Sequence, residues 1–212
     1  FLWEPSAARV ADVQAAVAGT RSEPTPAVEL AGHEAEIHSL AFSADGRKLA
    51  SAGHDNAVRL WDLGRKVSAG VLRGHGGWVR SCQFFSDAKR LVSCGYDGQA
   101  LCWNLDDYRE SVPLVRAQGA APVLSVGFST NGDQAVTAHS DGVTMTWNTR
   151  TGQPLATLTE GHDFLGESAL FVAGGRRVLT GARDSTLRLW NLEAGYELRP
   201  LGEPLHYSKN VG

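Results

Sequence analysis

The stretch LAGHEAEIHSLAFSADGRKLASAGHDNAVRLWDL, residues 30–63, decides how the rest of the chain is read. It contains three short runs rich in Leu, Val, Ile and Phe: IHSLAFS (37–43), KLASAG (48–53) and AVRLWDL (57–63). The turn Ala44-Asp45-Gly46-Arg47 separates the first two, and His54-Asp55-Asn56 separates the second and third. β-Prone runs of this length, punctuated by such turns, are hairpin signals. A fourth run, SAGVLRG (68–74), follows before a glycine-histidine pair returns at Gly74-His75.

The unit recurs along the chain, and internal repeats constrain a fold more than any local propensity. Trp61, Trp103, Trp147 and Trp190 are spaced by 42, 44 and 43 residues. Asp55, Asp97, Asp141 and Asp184 keep the same spacing, each six residues before its tryptophan. Four residues before each Asp stands a hydroxyl: Ser51, Ser93, Thr137 and Thr180. Twenty-two residues before it stands a histidine after glycine in three units, at His33, His75 and His162. The third unit has Gly119 in that place and lacks the histidine. Its neighbours' first turns are Ser86-Asp87-Ala88-Lys89 and Ala173-Gly174-Gly175-Arg176, and its own is Thr130-Asn131-Gly132-Asp133. Four antiparallel strands per repeat of roughly 40–45 residues is one propeller blade, so the pattern predicts an all-β propeller. Four complete four-stranded blades are expected at about 30–72, 73–115, 116–158 and 159–201.

Residues 26–201 resemble the WD-repeat family along their whole length. Glycine-histidine opens the unit and Trp61-Asp62 closes it, softened to Trp103-Asn104, Trp147-Asn148 and Trp190-Asn191 in the others. The phrasing of the repeats resembles bacterial and fungal members. The resemblance implies a closed ring of more blades than four, so two partial blades are expected at the flanks. Leu2-Trp3-Glu4 aligns with Leu60-Trp61-Asp62, and residues 1–25 are read as the end of a preceding blade plus a helix or loop insertion and a linker. Residues 202–212, with His206 and Val211, are read as the start of a following blade. On this reading the chain is either a window on a longer protein or a partial propeller whose copies complete a ring.

His33, Ser51 and Asp55 are the residue types of nucleophilic catalysis. A hydrolase needs one such constellation beside an oxyanion site and a pocket. Here it recurs once per blade, with Ser and Thr interchangeable and a tryptophan attached, as a structural network would. The family resemblance implies such a network: His33, Ser51, Asp55 and Trp61; His75, Ser93, Asp97 and Trp103; Thr137, Asp141 and Trp147; His162, Thr180, Asp184 and Trp190. A buried indole N–H is donor-only and needs an acceptor, which a Ser or Thr hydroxyl supplies. The third blade, without its histidine, is expected to be the weakest, with Asp141 mattering less than Asp55.

Composition excludes several classes. The 212 residues carry Lys+Arg 20 against Asp+Glu 23, a formal charge of −3, with no basic run to attract nucleic acid. No apolar stretch approaches the roughly 18–20 residues needed to span a bilayer, so no membrane partner is expected. Three cysteines, Cys82, Cys94 and Cys102, match no zinc spacing and no disulfide framework, which favours a reducing, cytoplasmic setting. There is no GxxxxGK[ST] phosphate loop. We expect no catalytic residues, no metal and no cofactor.

What remains is a surface. In a propeller the loop before each first strand and the turn between second and third strands emerge on one face. The turn positions are His54, Tyr96, Ser140 and Arg183, and the positions leading into the first strands are Glu36, Trp78, Pro122 and Leu165. The resemblance implies that this face grips a protein or peptide, and Trp, Tyr and Arg are enriched at binding hot spots. The partner-binding candidates are Trp78, Arg183, Tyr96, His54 and Glu36. The favoured function is a non-catalytic protein-interaction module, the scaffold or sensor part of a larger signalling or regulatory protein. The alternatives are a propeller enzyme working through its central channel, which would need a non-repeating cluster of carboxylates or histidines, and a partial propeller that self-assembles as a homo-oligomer.

Overall fold

The computed structural model describes residues 28–115, 121–158, 166–193 and 196–198. The partial blades expected at 1–25 and 202–212 lie outside these residues, as does His162. The described chain forms four sheets, each of four strands taken in sequence order with antiparallel pairing throughout. The first holds β1 (Ile37–Phe42), β2 (Lys48–Gly53), β3 (Ala57–Asp62) and β4 (Val67–Arg73). The second holds β5 (Val79–Phe84), β6 (Arg90–Gly95), β7 (Gln99–Asn104) and β8 (Arg109–Val115). The third holds β9 (Val123–Phe128), β10 (Gln134–His139), β11 (Thr144–Asn148) and β12 (Pro154–Leu158). The fourth holds β13 (Gly166–Val172), β14 (Arg177–Ala182), β15 (Leu187–Asn191) and β16 (Tyr196–Leu198). These are four blades of a propeller.

The core lies between sheets rather than inside them. Ala50, Ala52, Val58 and Leu60 of the first blade pack against Cys82, Phe84, Leu91 and Trp103 of the second. Val92, Cys94, Ala100 and Cys102 meet Val126, Ala135 and Trp147 of the third, and Val136 and Ala138 meet Ala169, Val178 and Trp190 of the fourth. The second strands of the first three blades are buried on both faces over most of their length. This is why KLASAG, RLVSCG and QAVTAH run small and apolar instead of alternating with charges. A serine on each of two first strands reaches across the layer: Cys82 N–H donates to Ser39 Oγ at 3.3 Å and Ala169 N–H to Ser125 Oγ at 3.4 Å.

The outer faces of the set remain open. Leu40 and Phe42 are 62% and 65% exposed, whereas their repeat equivalents Cys82 and Phe84 are 5% and 7% exposed. Leu170 and Leu187 are exposed on the opposite flank. The faces that meet a neighbour in the middle of the set thus continue at both sides as apolar faces that no described residue covers.

Backbone conformation repeats with the sequence. At the turn between first and second strands the left-handed position is Gly46 (φ 69°), Ala88 (φ 54°), Gly132 (φ 72°) and Gly175 (φ 88°). In the first three of these turns the residue donates its N–H back three residues, to Ser43, Phe85 and Ser129 respectively. Glycine adopts this conformation freely, and an alanine Cβ does not. Ala88 is the one position of the four that carries that cost. Ala88→Gly should therefore stabilise the protein by about 1 kcal/mol. The check is a rise in the urea midpoint with an unchanged denaturant slope.

Candidate functional site

In the first blade Trp61 Nε1–H donates to Ser51 Oγ at 2.8 Å, and His33 Nε2 lies 2.7 Å from the same oxygen. His33 Nδ1 lies 2.9 Å from an Asp55 carboxylate oxygen. The carboxylate can only accept, so Nδ1 carries a proton, and in that tautomer Nε2 accepts the Ser51 hydroxyl. The hydroxyl's lone pairs are then free for the indole. The second blade repeats the arrangement: Trp103 to Ser93 at 2.7 Å, His75 Nε2 to Ser93 at 2.7 Å, and His75 Nδ1 to Asp97 at 2.8 Å. Burial opposes the charge on Asp97, but the His75 hydrogen bond and the N–H groups of Gln99 and Gly76 outweigh it and hold the carboxyl below its usual range. Asp55 is held low in the same way by His33 and the Glu34 N–H. Ser51, Ser93, Thr137 and Thr180 are all buried. In the first two blades the hydroxyl is held between an indole and an imidazole and shut away from solvent, the geometry of a brace.

The third blade corrects the expectation of a missing histidine. Trp147 Nε1–H donates to Thr137 Oγ1 at 2.8 Å, and the third partner is His139, whose Nε2 lies 3.0 Å from the same oxygen. His139 is buried on β10, and its Nδ1 faces the Ala121 carbonyl at 3.4 Å. In the repeat it occupies the column of Gly53 and Gly95, while Gly119 occupies the column of His33 and His75. The two residue types have exchanged places. A Cβ on Gly53 would meet His33 Nδ1 at 3.0 Å and the Glu36 carbonyl at 2.8 Å, so in the first blade this column is crowded by the imidazole itself. The imidazole comes from the loop before β1 in the first blade and from the end of β10 in the third. In the fourth blade Trp190 donates to Thr180 at 2.9 Å, and Asp184 accepts from the backbone and hydroxyl of Thr186.

The candidate surface grows from the end of each first-strand ladder. His54 N–H donates to the Glu36 carbonyl at 2.8 Å, Tyr96 N–H to Trp78 at 2.9 Å and Ser140 N–H to Pro122 at 2.9 Å. Just inside that bond each first strand carries a bulge. His38, Arg80, Leu124 and Glu167 are the extra residues, skipped between Ile37 and Ser39, Val79 and Ser81, Val123 and Ser125, and Gly166 and Ser168. A bulge re-aims a side chain. Three columns therefore meet on this face in the first three blades: the residue leading into the strand, the bulge residue and the turn residue.

Between the first two blades those columns build an aromatic surface. The His54 ring stacks on Trp78 with centroids 3.9 Å apart and planes 18° apart, and Tyr96 meets Trp78 edge-on at 5.5 Å. His38 tilts against His54 at 4.1 Å, and Glu36 reaches within 3.5 Å of His54 Nδ1. Burial, His54 and Arg80 together lower the affinity of His38 for a proton. Trp78 and Tyr96 remain 47% and 45% exposed. With Asn56, Gly76 and Gly77 they line a cavity of about 330 Å³. The structure thus brings together Glu36, His54, Trp78 and Tyr96. Arg183 stands apart in the fourth blade, where its guanidinium pairs with its own bulge residue, Glu167. Sequence reasoning missed His38, and with it the non-repeating group Glu36, His38 and His54. Their ligand atoms all lie within 4.8 Å of one another. The three cysteines are free and buried, and burial pushes the Cys82 thiol up to about 12 and raises Cys94 as well.

Comparison with known proteins bears on this architecture. The family described as WD domain, G-beta repeat matches residues 24–62, 66–104 and 152–191, more than half of the chain. The interval it passes over, 105–151, contains Gly119 and His139. Protein tipD of Dictyostelium discoideum is 26% identical over 170 residues, covering 80% of this chain and 20% of its own. Protein FIZZY-RELATED 2 of Arabidopsis thaliana is 28% identical over 171 residues, 77% of this chain and 34% of its own. Transducin beta-like protein 2 of Mus musculus is 48% identical over 44 residues, 21% of this chain and 10% of its own. The chain spans between a fifth and about a third of the length of the first two relatives.

If one imidazole per blade is what the network needs, its origin should be exchangeable. His139→Gly is expected to destabilise by about 1–3 kcal/mol through the unsatisfied partners it leaves. Adding Gly119→His to that variant should recover most of the loss in a thermal or urea melt. Two additive losses would show that the exchange is incidental.

Proposed function

Because the chain belongs to the WD-repeat family, we propose that it is a non-catalytic protein-interaction module, whose docking site is the aromatic surface between its first two blades. One observation carries this reading. Trp78 and Tyr96 are half exposed, stand outside the repeating tryptophan column, and wall an apolar cavity sized for a side chain. Large aromatics stay in water at the cost of unburied apolar area, and such exposure marks contact sites. The occupant that fits is an extended peptide segment of a partner protein, inserting an apolar anchor between Trp78 and Tyr96. The adjacent Gly76 and Gly77 let its backbone approach closely. Arg183, held by Glu167, forms a separate polar spot and is not needed for this anchor. The chain then serves as the scaffold or sensor portion of a larger regulatory protein. The free, buried cysteines support a cytoplasmic setting.

A second reading has an observation of its own. The open apolar flanks at Leu40 with Phe42, and at Leu170 with Leu187, each continue a face that elsewhere meets a neighbouring blade. They would accept further blades, whether from the same chain or from a second copy.

Selection of a random displayed-peptide library on the chain tests the docking site. The selected peptides are expected to share an apolar anchor. They should bind Trp78→Ala and Tyr96→Ala at least about tenfold more weakly, and Arg183→Ala as well as the parent, with melting temperatures within a few degrees. Peptides that bind the double variant Trp78→Ala/Tyr96→Ala with full affinity would move the docking site elsewhere.

A further inference from the structure

We propose that Glu36, His38 and His54 form a site for a divalent transition-metal ion of the zinc type. The backbone delivers these three side chains to one point. Glu36 caps the ladder by accepting the His54 N–H, His38 is the bulge residue two positions on, and His54 opens the turn opposite. The same three columns meet in the other blades with different contents. The second blade fills them with Trp78, Arg80 and Tyr96, and the third with Pro122, Leu124 and Ser140. In the fourth, the bulge residue Glu167 and the turn residue Arg183 are paired, so the columns are within bonding reach of each other. Only the first blade supplies three metal-ligating groups.

The donor set matches the chemistry. Two imidazoles and a carboxylate suit zinc, cobalt, nickel or copper and are poor for magnesium or calcium, which favour oxygen alone. Ligands about 2.0–2.2 Å from a tetrahedral ion lie about 3.3–3.6 Å from one another. His54 Nδ1 and Glu36 Oε2 are already 3.5 Å apart, and the three ligand atoms span no more than 4.8 Å. The Glu36 side chain is 80% exposed and free to swing inward. The His54 ring is held flat against Trp78, which fixes its aim as a buttress does for a metal-bound imidazole. Three protein ligands leave one position open to water. The positive charge of Arg80 reaches His38 and weakens the site. The ion would sit beside the cavity walled by Trp78, although its binding does not depend on any peptide docking there.

Titration of the 212-residue chain with zinc chloride by calorimetry, and with cobalt chloride by visible absorption, tests the site. One equivalent is expected to bind, with tetrahedral cobalt bands and no thiolate-to-metal band. His38→Ala and His54→Ala should each weaken binding by about tenfold or more. The exposed neighbour substitution Glu34→Gln should leave it unchanged, with circular dichroism confirming that every variant folds. Absence of stoichiometric binding in the folded parent would overturn the proposal. Binding that survives both histidine substitutions, or that shows a thiolate band, would overturn it equally, because the ion would then be held elsewhere.

Discussion

A buried serine or threonine hydroxyl on the second strand of each blade is the interaction on which the rest stands. It accepts the N–H of the third-strand indole in all four blades, at 2.7–2.9 Å. In the first three it also meets an imidazole. The tryptophan supplies the largest apolar body in each sheet, but it can be buried only if its one polar atom is satisfied. The hydroxyl resolves that constraint, and the histidine in turn satisfies the hydroxyl. In the first two blades the histidine carries the bond on to a carboxylate at the next turn, and the carboxylate carries it to the loop before the first strand. In the second blade Asp97 accepts the Gly76 N–H at 2.9 Å, tying down the GHGGW loop that presents Trp78. Core burial and the geometry of the exposed face are therefore coupled by one chain of hydrogen bonds.

The propeller architecture was legible because the network demands specific residue types at fixed offsets. Trp61, Ser51, Asp55 and His33 have few substitutes, so the columns survive while everything between them drifts. The exchange of Gly119 and His139 was hidden by the same method: reading a single column registers only a loss. A histidine standing where two other units have glycine was the visible signal, and the crowding around Gly53 is its physical meaning. The turn position of Arg183 predicts its exposure but not the Glu167 carboxylate that engages it.

The cluster of Glu36, His38 and His54 was illegible for a different reason. Alternation along an ideal strand places residues 36 and 38 on one side but does not say that the strand bulges at its start. The bulge is a property of the backbone, recurring in all four blades whatever residue occupies it. Repetition fixes the frame, and the variable residues at the ends of the ladders give each blade its own contents: two imidazoles and a carboxylate, an aromatic pair, apolar side chains or an ion pair.

Hydrogen exchange of the tryptophan indole protons tests that division most directly. Each signal can be assigned by substitution and followed by NMR in deuterated buffer. Trp61, Trp103, Trp147 and Trp190 are predicted to exchange only through large openings of the structure, orders of magnitude more slowly than Trp78, which should exchange at nearly the rate of free indole. Comparable rates for all five would contradict the account, since the braced and the presented tryptophans would then be the same kind of residue.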